Sequence, residues 1–158
     1  MKPSESDRKG MTHKQAVRRV RNWMTNSKQF GVVLAELATR NRETPDVIGW
    51  KQSHSTLVEV KVSRSDFLGD KKKCFRRHEE SGMGDHRYFA APKGLLKPEE
   101  MPDGWGLLEI GEHQIREIAE AQPKNADKRC ECNMLLSVLR RLEISTAVFV
   151  RQEPHETE

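Results

Sequence analysis

Residues 57–62 read LVEVKV, which is the clearest strand pattern in the chain. Val58, Val60 and Val62 occupy every second position and therefore lie on one face of a strand, with Glu59 and Lys61 on the other. Branched side chains in such an alternation are typical of a half-buried β-strand. We predict a strand whose valines enter the core and whose two charges share the opposite face.

The segments upstream of this strand predict its neighbours. Residues 46–50 read as a short strand that begins after Pro45, and residues 51–55 read as a hairpin-like loop. Paired as a hairpin, the two backbones would lie about 4.8 Å apart. Residues 31–38 are ambiguous, because VVL is typical of a strand and AELA of a helix, and we favour a strand.

Helices are expected on both sides of these strands. Thr12 is a suitable N-cap, and apolar residues recur at helical spacing from residue 16 to residue 24, so a helix is predicted to end near residues 26–27. Ser63 and Asp66 match a capping box, which predicts a basic helix from there to about Glu80.

The C-terminal half is predicted to add two strands and two helices. The strands are expected at 87–91 and 105–110, and the helices at about 112–121 and 127–142. The last helix carries an apolar stripe made of Met134, Leu135, Val138, Leu139 and Leu142. This order of elements predicts an α/β fold with a small mixed central sheet flanked by helices.

Length and composition indicate one domain. The chain has 158 residues, of which 35% are hydrophobic and 33% charged, so it can form one modest core under a charged surface. We expect residues 1–11 to be disordered, residues 12–150 to form a single domain and residues 151–158 to be a polar tail. No apolar run approaches the ~20 residues that span a bilayer, and the N-terminus lacks a secretory signal. We therefore expect an intracellular, cytoplasmic protein.

Charge is distributed unevenly along the chain. Residues 1–30 hold eight lysines and arginines against two acids, residues 61–77 hold seven against two, and residues 98–120 hold seven acids against one arginine. Basic segments on both sides of an acidic motif fit a polyanion such as DNA, because lysine and arginine displace counterions from phosphates. A solvated charged surface explains the same pattern.

The cysteines do not indicate a disulfide framework, because there are only three in a chain of this length. Cys74, His78, Cys130 and Cys132 together would supply four zinc ligands. Zinc-binding cysteine pairs usually have two residues between them, whereas Cys130 and Cys132 have one. We favour reduced thiols, and the sequence leaves zinc open.

The two predicted hairpin strands would bring candidate metal ligands together. Asp46 and Glu59 would converge with a backbone carbonyl near Val60, and such hard oxygen ligands suit Mg²⁺, with Mn²⁺ as an alternative. Lys61 would lie beside the ion, where it can orient the attacking water or neutralise charge on a phosphate. A metal that activates water and a cation that stabilises the transition state predict phosphodiester hydrolysis.

This pattern resembles the PD-(D/E)XK signature of the restriction-endonuclease-like superfamily. The matching residues are Pro45-Asp46, then twelve intervening residues, then Glu59-Val60-Lys61. The run from residue 44 to residue 67 is also similar to small bacterial and phage proteins of that superfamily, including MmcB-like DNA-repair proteins. The resemblance covers roughly residues 31–110.

The resemblance implies a restriction-endonuclease-like core that hydrolyses DNA with the help of Mg²⁺. It implies Asp46 and Glu59 as metal ligands and Lys61 as the catalytic lysine. The superfamily often adds an upstream acid, for which Glu36 is the candidate. A bacterial or phage origin, and a role in DNA repair or phage DNA processing, would follow.

Basic residues near the motif are candidates for DNA binding. Arg64 could reach a scissile phosphate, although a solvent-exposed arginine is the competing interpretation. The other candidates lie on the two predicted basic helices: Arg18, Arg21, Lys71, Lys72, Lys73, Arg76 and Arg77.

Two other functions remain open at this point. The first is a nucleic-acid-binding module whose nuclease-like core is catalytically inactive or depends on a partner protein. Alternatively, the apolar stripe at residues 134–142 would serve dimerisation. A homodimer is also compatible with a nuclease, since cutting both strands of a duplex usually calls for two active sites. The preferred DNA structure and any sequence specificity are not predicted.

Overall fold

The computed structural model describes residues 10–37, 43–70 and 82–142. Most of the expected disordered N-terminus, the later part of the basic helix and the polar tail lie outside the described residues. The same holds for the following predicted site residues: Lys71, Lys72, Lys73, Cys74, Arg76, Arg77 and His78.

Within the part of the chain that the structure describes, six strands form one mixed sheet in which the spatial order equals the chain order. The strands are β1 (Val32–Ala35), β2 (Val47–Lys51), β3 (His54–Val60), β4 (His86–Pro92), β5 (Gly106–Ile110) and β6 (Ile115–Ala119). Strands β1, β2 and β3 form an antiparallel meander, β3, β4 and β5 are parallel, and β6 is antiparallel to β5. The predicted α/β class and mixed sheet are thereby confirmed, as is the strand favoured within residues 31–38.

Among the described residues, three α-helices flank the sheet. They are α1 (His13–Asn22), α2 (Arg64–Asp70) and α3 (Lys128–Arg141), and α1 continues into one π-helical turn, Trp23–Ser27. Thr12 caps α1 as expected: its hydroxyl accepts the Gln15 N–H, and the Gln15 side chain accepts the Thr12 N–H at 2.9 Å. Ser63 caps α2 by accepting the Asp66 N–H at 3.2 Å. The described part of the chain holds no helix long and apolar enough to cross a membrane.

The sheet separates two apolar clusters. Helix α1 covers one face through Ala16, Val17, Val20 and Met24, which pack with the valines of β2 and β3. The other face holds the aromatic side chains of Phe67, Phe89 and Trp105 together with Met134 of α3. Val58 and Val60 lie in the first cluster as predicted, because alternate residues of β3 point to opposite faces.

The helix predicted at about 112–121 is wrong, because this segment forms β6. Ile115 and Ile118 are three residues apart, a spacing that is also found on one face of a helix. The free edge of β5 decides otherwise: Ile110 pairs with Ile115 and Glu109 with Arg116, so the backbone groups of β5 obtain partners. A register shift between Leu107 and Leu108 interrupts the ladder.

The apolar stripe predicted on α3 is buried only in part. Met134 is fully buried, whereas Leu139 is 43% exposed and Leu142 is 64% exposed. Glu131, a charged residue, is the second buried side chain of this helix. Its carboxylate accepts hydrogen bonds from the Trp50 indole, the Ser55 hydroxyl and the Gly84 N–H. A polar network therefore supplements apolar packing in attaching α3 to the sheet.

Gly106 gives a test of the packing between β4 and β5. A Cβ at this position would collide with the Tyr88 ring and lie 2.7 Å from the Ala119 carbonyl oxygen. We expect Gly106→Ala to lower the free energy of unfolding by about 1–3 kcal/mol, measured by urea denaturation. In Gly69→Ala, the control in α2, the Cβ meets nothing within 4 Å. An unchanged stability of Gly106→Ala would contradict this packing.

Candidate functional site

Asp46 joins three strands at one end of the sheet. Its Oδ2 accepts the Val60 N–H at 2.7 Å, and its backbone carbonyl accepts the Glu36 N–H at 2.9 Å. The ladder between β2 and β3 ends where Val47 pairs with Val58, so the Asp46 side chain takes the place of a backbone acceptor beyond that pair. Asp46 therefore lies next to the Glu-Val-Lys motif as predicted, and it contacts the backbone of Val60, the central residue of that motif.

Glu59 and Lys61 point to the face of the sheet opposite α1, as predicted. Glu59 is 2% exposed and Lys61 is 7% exposed. The Lys61 ammonium lies 3.8 Å from Glu59 Oε2 and 5.9 Å from the centroid of the Phe89 ring. Burial of a lysine is costly unless opposite charges surround it, so the neighbouring carboxylates keep this ammonium in place.

Asp70 is a site residue that sequence reasoning missed. It is the last residue of α2, and its side chain is buried. Its Oδ1 lies 3.0 Å from the Lys61 ammonium. A signal was present in the sequence: Asp70 follows Phe67 by three residues, and residues at that spacing share a helix face. Both side chains are buried in the structure.

His13 is the second residue that was missed, and it connects Asp46 with Glu36. Its Nε2 lies 3.3 Å from Asp46 Oδ1, and its Nδ1 lies 3.6 Å from Glu36 Oε1. One ligand atom from each of these three residues falls within 4.8 Å of the others. Among the described residues, these three side chains form the group that could hold a metal ion, and Glu59 does not belong to it.

Glu36 owes its position to the end of β1. Strand β1 stops at Ala35, and Glu36 adopts a φ of 50°. This left-handed conformation is uncommon for a residue with a side chain and occurs often at functional sites. It lets the Glu36 N–H bond to Asp46 while the Glu36 carboxylate faces His13.

Arg64 lies in an ion pair in this structure. Its guanidinium is 2.6 Å from Glu100 Oε1 and also donates to Glu100 Oε2 at 2.8 Å. The hydrogen bond from Arg64 lowers the pKa of Glu100 to about 2, so that carboxylate is ionised throughout the neutral range. A phosphate contact of Arg64 therefore requires exchange of one anionic partner for another.

Basic residues of α1 border a cavity beside the His13–Glu36–Asp46 group. The cavity has a volume of about 330 Å³ and lies between the exposed side of α1 and the end of β1. Lys14, Arg18 and Arg21 line it together with Glu36. Two of these three cations, Arg18 and Arg21, were predicted to bind nucleic acid.

The cysteines of α3 show no zinc arrangement within the described residues. The Cys130 thiol donates to Asp127 Oδ2 at 3.2 Å, and Cys132 is exposed. Burial, together with Asp127, raises the pKa of Cys130 to about 11, so its thiol is protonated at neutral pH. Cys74 and His78 lie outside the described residues, so the proposed four-ligand set stays untested.

Comparison with known proteins gives a relative in fold. No model of a protein family matches the chain, and no curated protein matches it. Among solved structures, the chain is similar to a protein of unknown function from Silicibacter pomeroyi, with a TM-score of 0.64 and 21% sequence identity. The alignment covers 88% of this chain and 97% of the other. At this level of identity the similarity concerns the fold alone.

The contact between Asp46 and Val60 predicts that two substitutions of Asp46 differ in their effect on stability. Asp46→Ala removes the acceptor of a buried N–H and should lower the free energy of unfolding by about 1–3 kcal/mol. Asp46→Asn keeps an oxygen acceptor and should retain most of that stability. Urea denaturation in EDTA measures both, with the exposed Asp103→Ala as a control. Equal stability of the two Asp46 variants would mean that the contact does not form.

Proposed function

We propose that this protein is a metal-dependent nuclease that hydrolyses DNA phosphodiester bonds, with Asp46, Glu59 and Lys61 at its centre. The observation that carries the proposal is the 2.7 Å hydrogen bond between Asp46 and the Val60 N–H. It joins the Pro-Asp and Glu-Val-Lys halves of the motif, which are separated by twelve residues in the sequence. The hairpin of β2 and β3 brings the two halves near each other, and the hydrogen bond fixes the Asp46 carboxylate at the Glu-Val-Lys end of β3.

The residues around Asp46 fit a divalent cation. Asp46 and Glu36 offer carboxylate oxygens, and His13 offers an imidazole nitrogen within the same 4.8 Å group. Carboxylates suit Mg²⁺ and Mn²⁺, whereas an imidazole favours a softer ion than Mg²⁺, so the set supports Mn²⁺ alongside Mg²⁺. When bound, such an ion activates a water molecule and offsets negative charge on the phosphate.

The sequence also predicts Glu59 and the Val60 carbonyl as ligands, although the Glu59 carboxylate lies outside the group of three. The Val60 N–H faces β2, where it meets Asp46. In an extended strand the N–H and the C=O of one residue point to the same side, so the Val60 oxygen also faces the Asp46 side. Glu59 precedes Val60 directly, and its buried carboxylate lies 3.8 Å from the Lys61 ammonium.

Lys61 supplies the positive charge of the mechanism. In hydrolysis a water oxygen bonds to phosphorus while the bond from phosphorus to one ester oxygen breaks. The Lys61 ammonium can donate a hydrogen bond to the attacking water or to a phosphate oxygen as negative charge accumulates. Glu59 and Asp70 hold that ammonium at 3.8 Å and 3.0 Å and so limit its motion.

The same ion pair is what favours the alternative function. Lys61 is 7% exposed and bound to Asp70, so substrate reaches it only if this pair opens. A module in which the pair stays closed would bind DNA without cutting it. The two functions differ in one measurable property, which is metal-dependent cleavage.

The decisive experiment compares cleavage of supercoiled, linear, single-stranded and branched DNA in Mg²⁺, Mn²⁺ or EDTA. We expect cutting that requires the metal and falls by about a hundredfold or more in Asp46→Asn and in Lys61→Ala. Asp103→Asn, which alters the exposed Pro-Asp pair at residues 102–103, should cut like the wild type. Full activity of Lys61→Ala would refute the assignment, and DNA binding without any cutting would support the inactive module.

Metal binding by the free protein tests the role of His13. We expect His13→Ala to weaken Mn²⁺ binding, measured by isothermal titration calorimetry, by about tenfold or more, since loss of even an indirect partner of a metal costs that much. Binding of Mg²⁺ should change less, because imidazole contributes little to a hard ion. His113→Ala is the control, because His113 also lies near a carboxylate but is 88% exposed. Equal losses in both variants would exclude His13 as a ligand.

A further inference from the structure

The cavity beside α1 carries an inference about how the substrate lies on the protein. Lys14, Arg18 and Arg21 are spaced by four and three residues, so they form one stripe along the helix. All three are exposed, and α1 contains no acidic residue. None of them forms an ion pair within the described residues; Arg21 donates only to the Asn22 side chain, at 3.3 Å.

The stripe begins beside the candidate metal centre. Lys14 follows His13 directly, and Glu36 lines the same cavity as the three cations. From Lys14 to Arg21 the helix rises about 10 Å. Phosphates of one strand of a duplex are about 3.4 Å apart along the axis, so the stripe spans about three steps of a nucleic-acid strand.

We propose that this cavity is the groove that binds the sugar-phosphate backbone of a DNA strand, with Lys14, Arg18 and Arg21 contacting successive phosphates next to the His13–Glu36–Asp46 group. The inference rests on the proposed nuclease function and adds the path of its substrate. The strand runs along α1, and its scissile phosphate lies at the His13 end. Glu36 repels a phosphate when no cation is present, so the three basic residues carry the metal-independent share of binding.

Charge complementarity favours this occupant over an apolar partner. The lining combines three cations that form no ion pair with another described residue, the Glu36 carboxylate, and the side chains of Thr12, Gln15, Val17 and Ala35. Each lysine or arginine that neutralises a phosphate releases a bound counterion, so a polyanion gains affinity from these three cations. The affinity contributed by the groove must therefore fall steeply with salt concentration.

The test measures binding of fluorescent 20-nucleotide single-stranded DNA, and of the corresponding duplex, to the full chain in EDTA between 50 and 300 mM NaCl. EDTA removes the metal, so the assay reports the groove independently of catalysis. Arg18→Gln combined with Arg21→Gln should reduce the slope of log K against log[salt] by about 1.4 to 1.8, which is two phosphate contacts. Lys14→Gln should remove a further contact.

The matched control is Arg129→Gln combined with Arg140→Gln. These arginines are exposed on α3, which packs on the opposite face of the sheet, and their replacement changes net charge by the same amount. The control should keep the wild-type slope. Equal slope changes in both double variants would overturn the groove, because they would reflect net charge alone.

Cleavage separates this inference from the proposed function. If the groove is correct and the enzyme cuts DNA, the double variant should raise KM and leave kcat within a few-fold, because it removes contacts made equally in the ground and transition states. Wild-type binding by the groove variants with intact cleavage would reject the groove and retain the nuclease. Groove-dependent binding with no cleavage under any metal would reject the nuclease and retain the groove.

Discussion

The pairing register of β2 with β3 is the constraint on which the candidate site depends. Val47 lies opposite Val58. A slip by one residue would exchange the two faces of β3, because side chains alternate with a period of two. Glu59 and Lys61 would then lie under the apolar stripe of α1, where two charges have no partners. The cost of burying unpaired charge excludes that register and so keeps the motif in its observed orientation.

The Asp46 side chain terminates this pairing in a way that also prepares a site. Beyond the last backbone pair, the Val60 N–H would lack an acceptor, and the Asp46 carboxylate supplies one. A carboxylate held by the backbone of a neighbouring strand is more rigid than one on a loop, and rigid support is what catalytic geometry needs. One oxygen is used for the fold, and the other faces His13.

Charges are buried near both ends of β3. Near its last residues, Lys61 lies between Glu59 and Asp70. Near its first residues, Ser55 bonds to Glu131 of α3 and to Asp85. Buried ion pairs seldom repay their desolvation compared with apolar packing, so their retention is weak support for stability alone. The network around Ser55 positions helix α3. We propose that the network around Lys61 positions the ammonium group that takes part in catalysis.

Much of the strand pattern and part of the site followed from local sequence. The faces of β3, the hairpin with β2 and the cap of α1 depend on residue type and period over a few positions, and these predictions are confirmed. The helix expected at residues 112–121 failed because a free strand edge outweighed a three-residue spacing of isoleucines. Asp70 was missed because the chosen signal in α2 was basic charge, whereas its buried face lies at Phe67 and Asp70.

The sequence by itself determined that Glu59 and Lys61 share one face of a strand and that Asp46 lies at the start of the strand before it, directly ahead of Val47, because alternation and turn residues act locally. Only the tertiary structure decided that His13 meets Asp46 and Glu36, that Asp70 meets Lys61, and that the cations of α1 border a cavity at β1. The physical reason is that these contacts join residues on different elements. Their approach depends on how each helix buries its apolar stripe against the sheet, which no local pattern specifies.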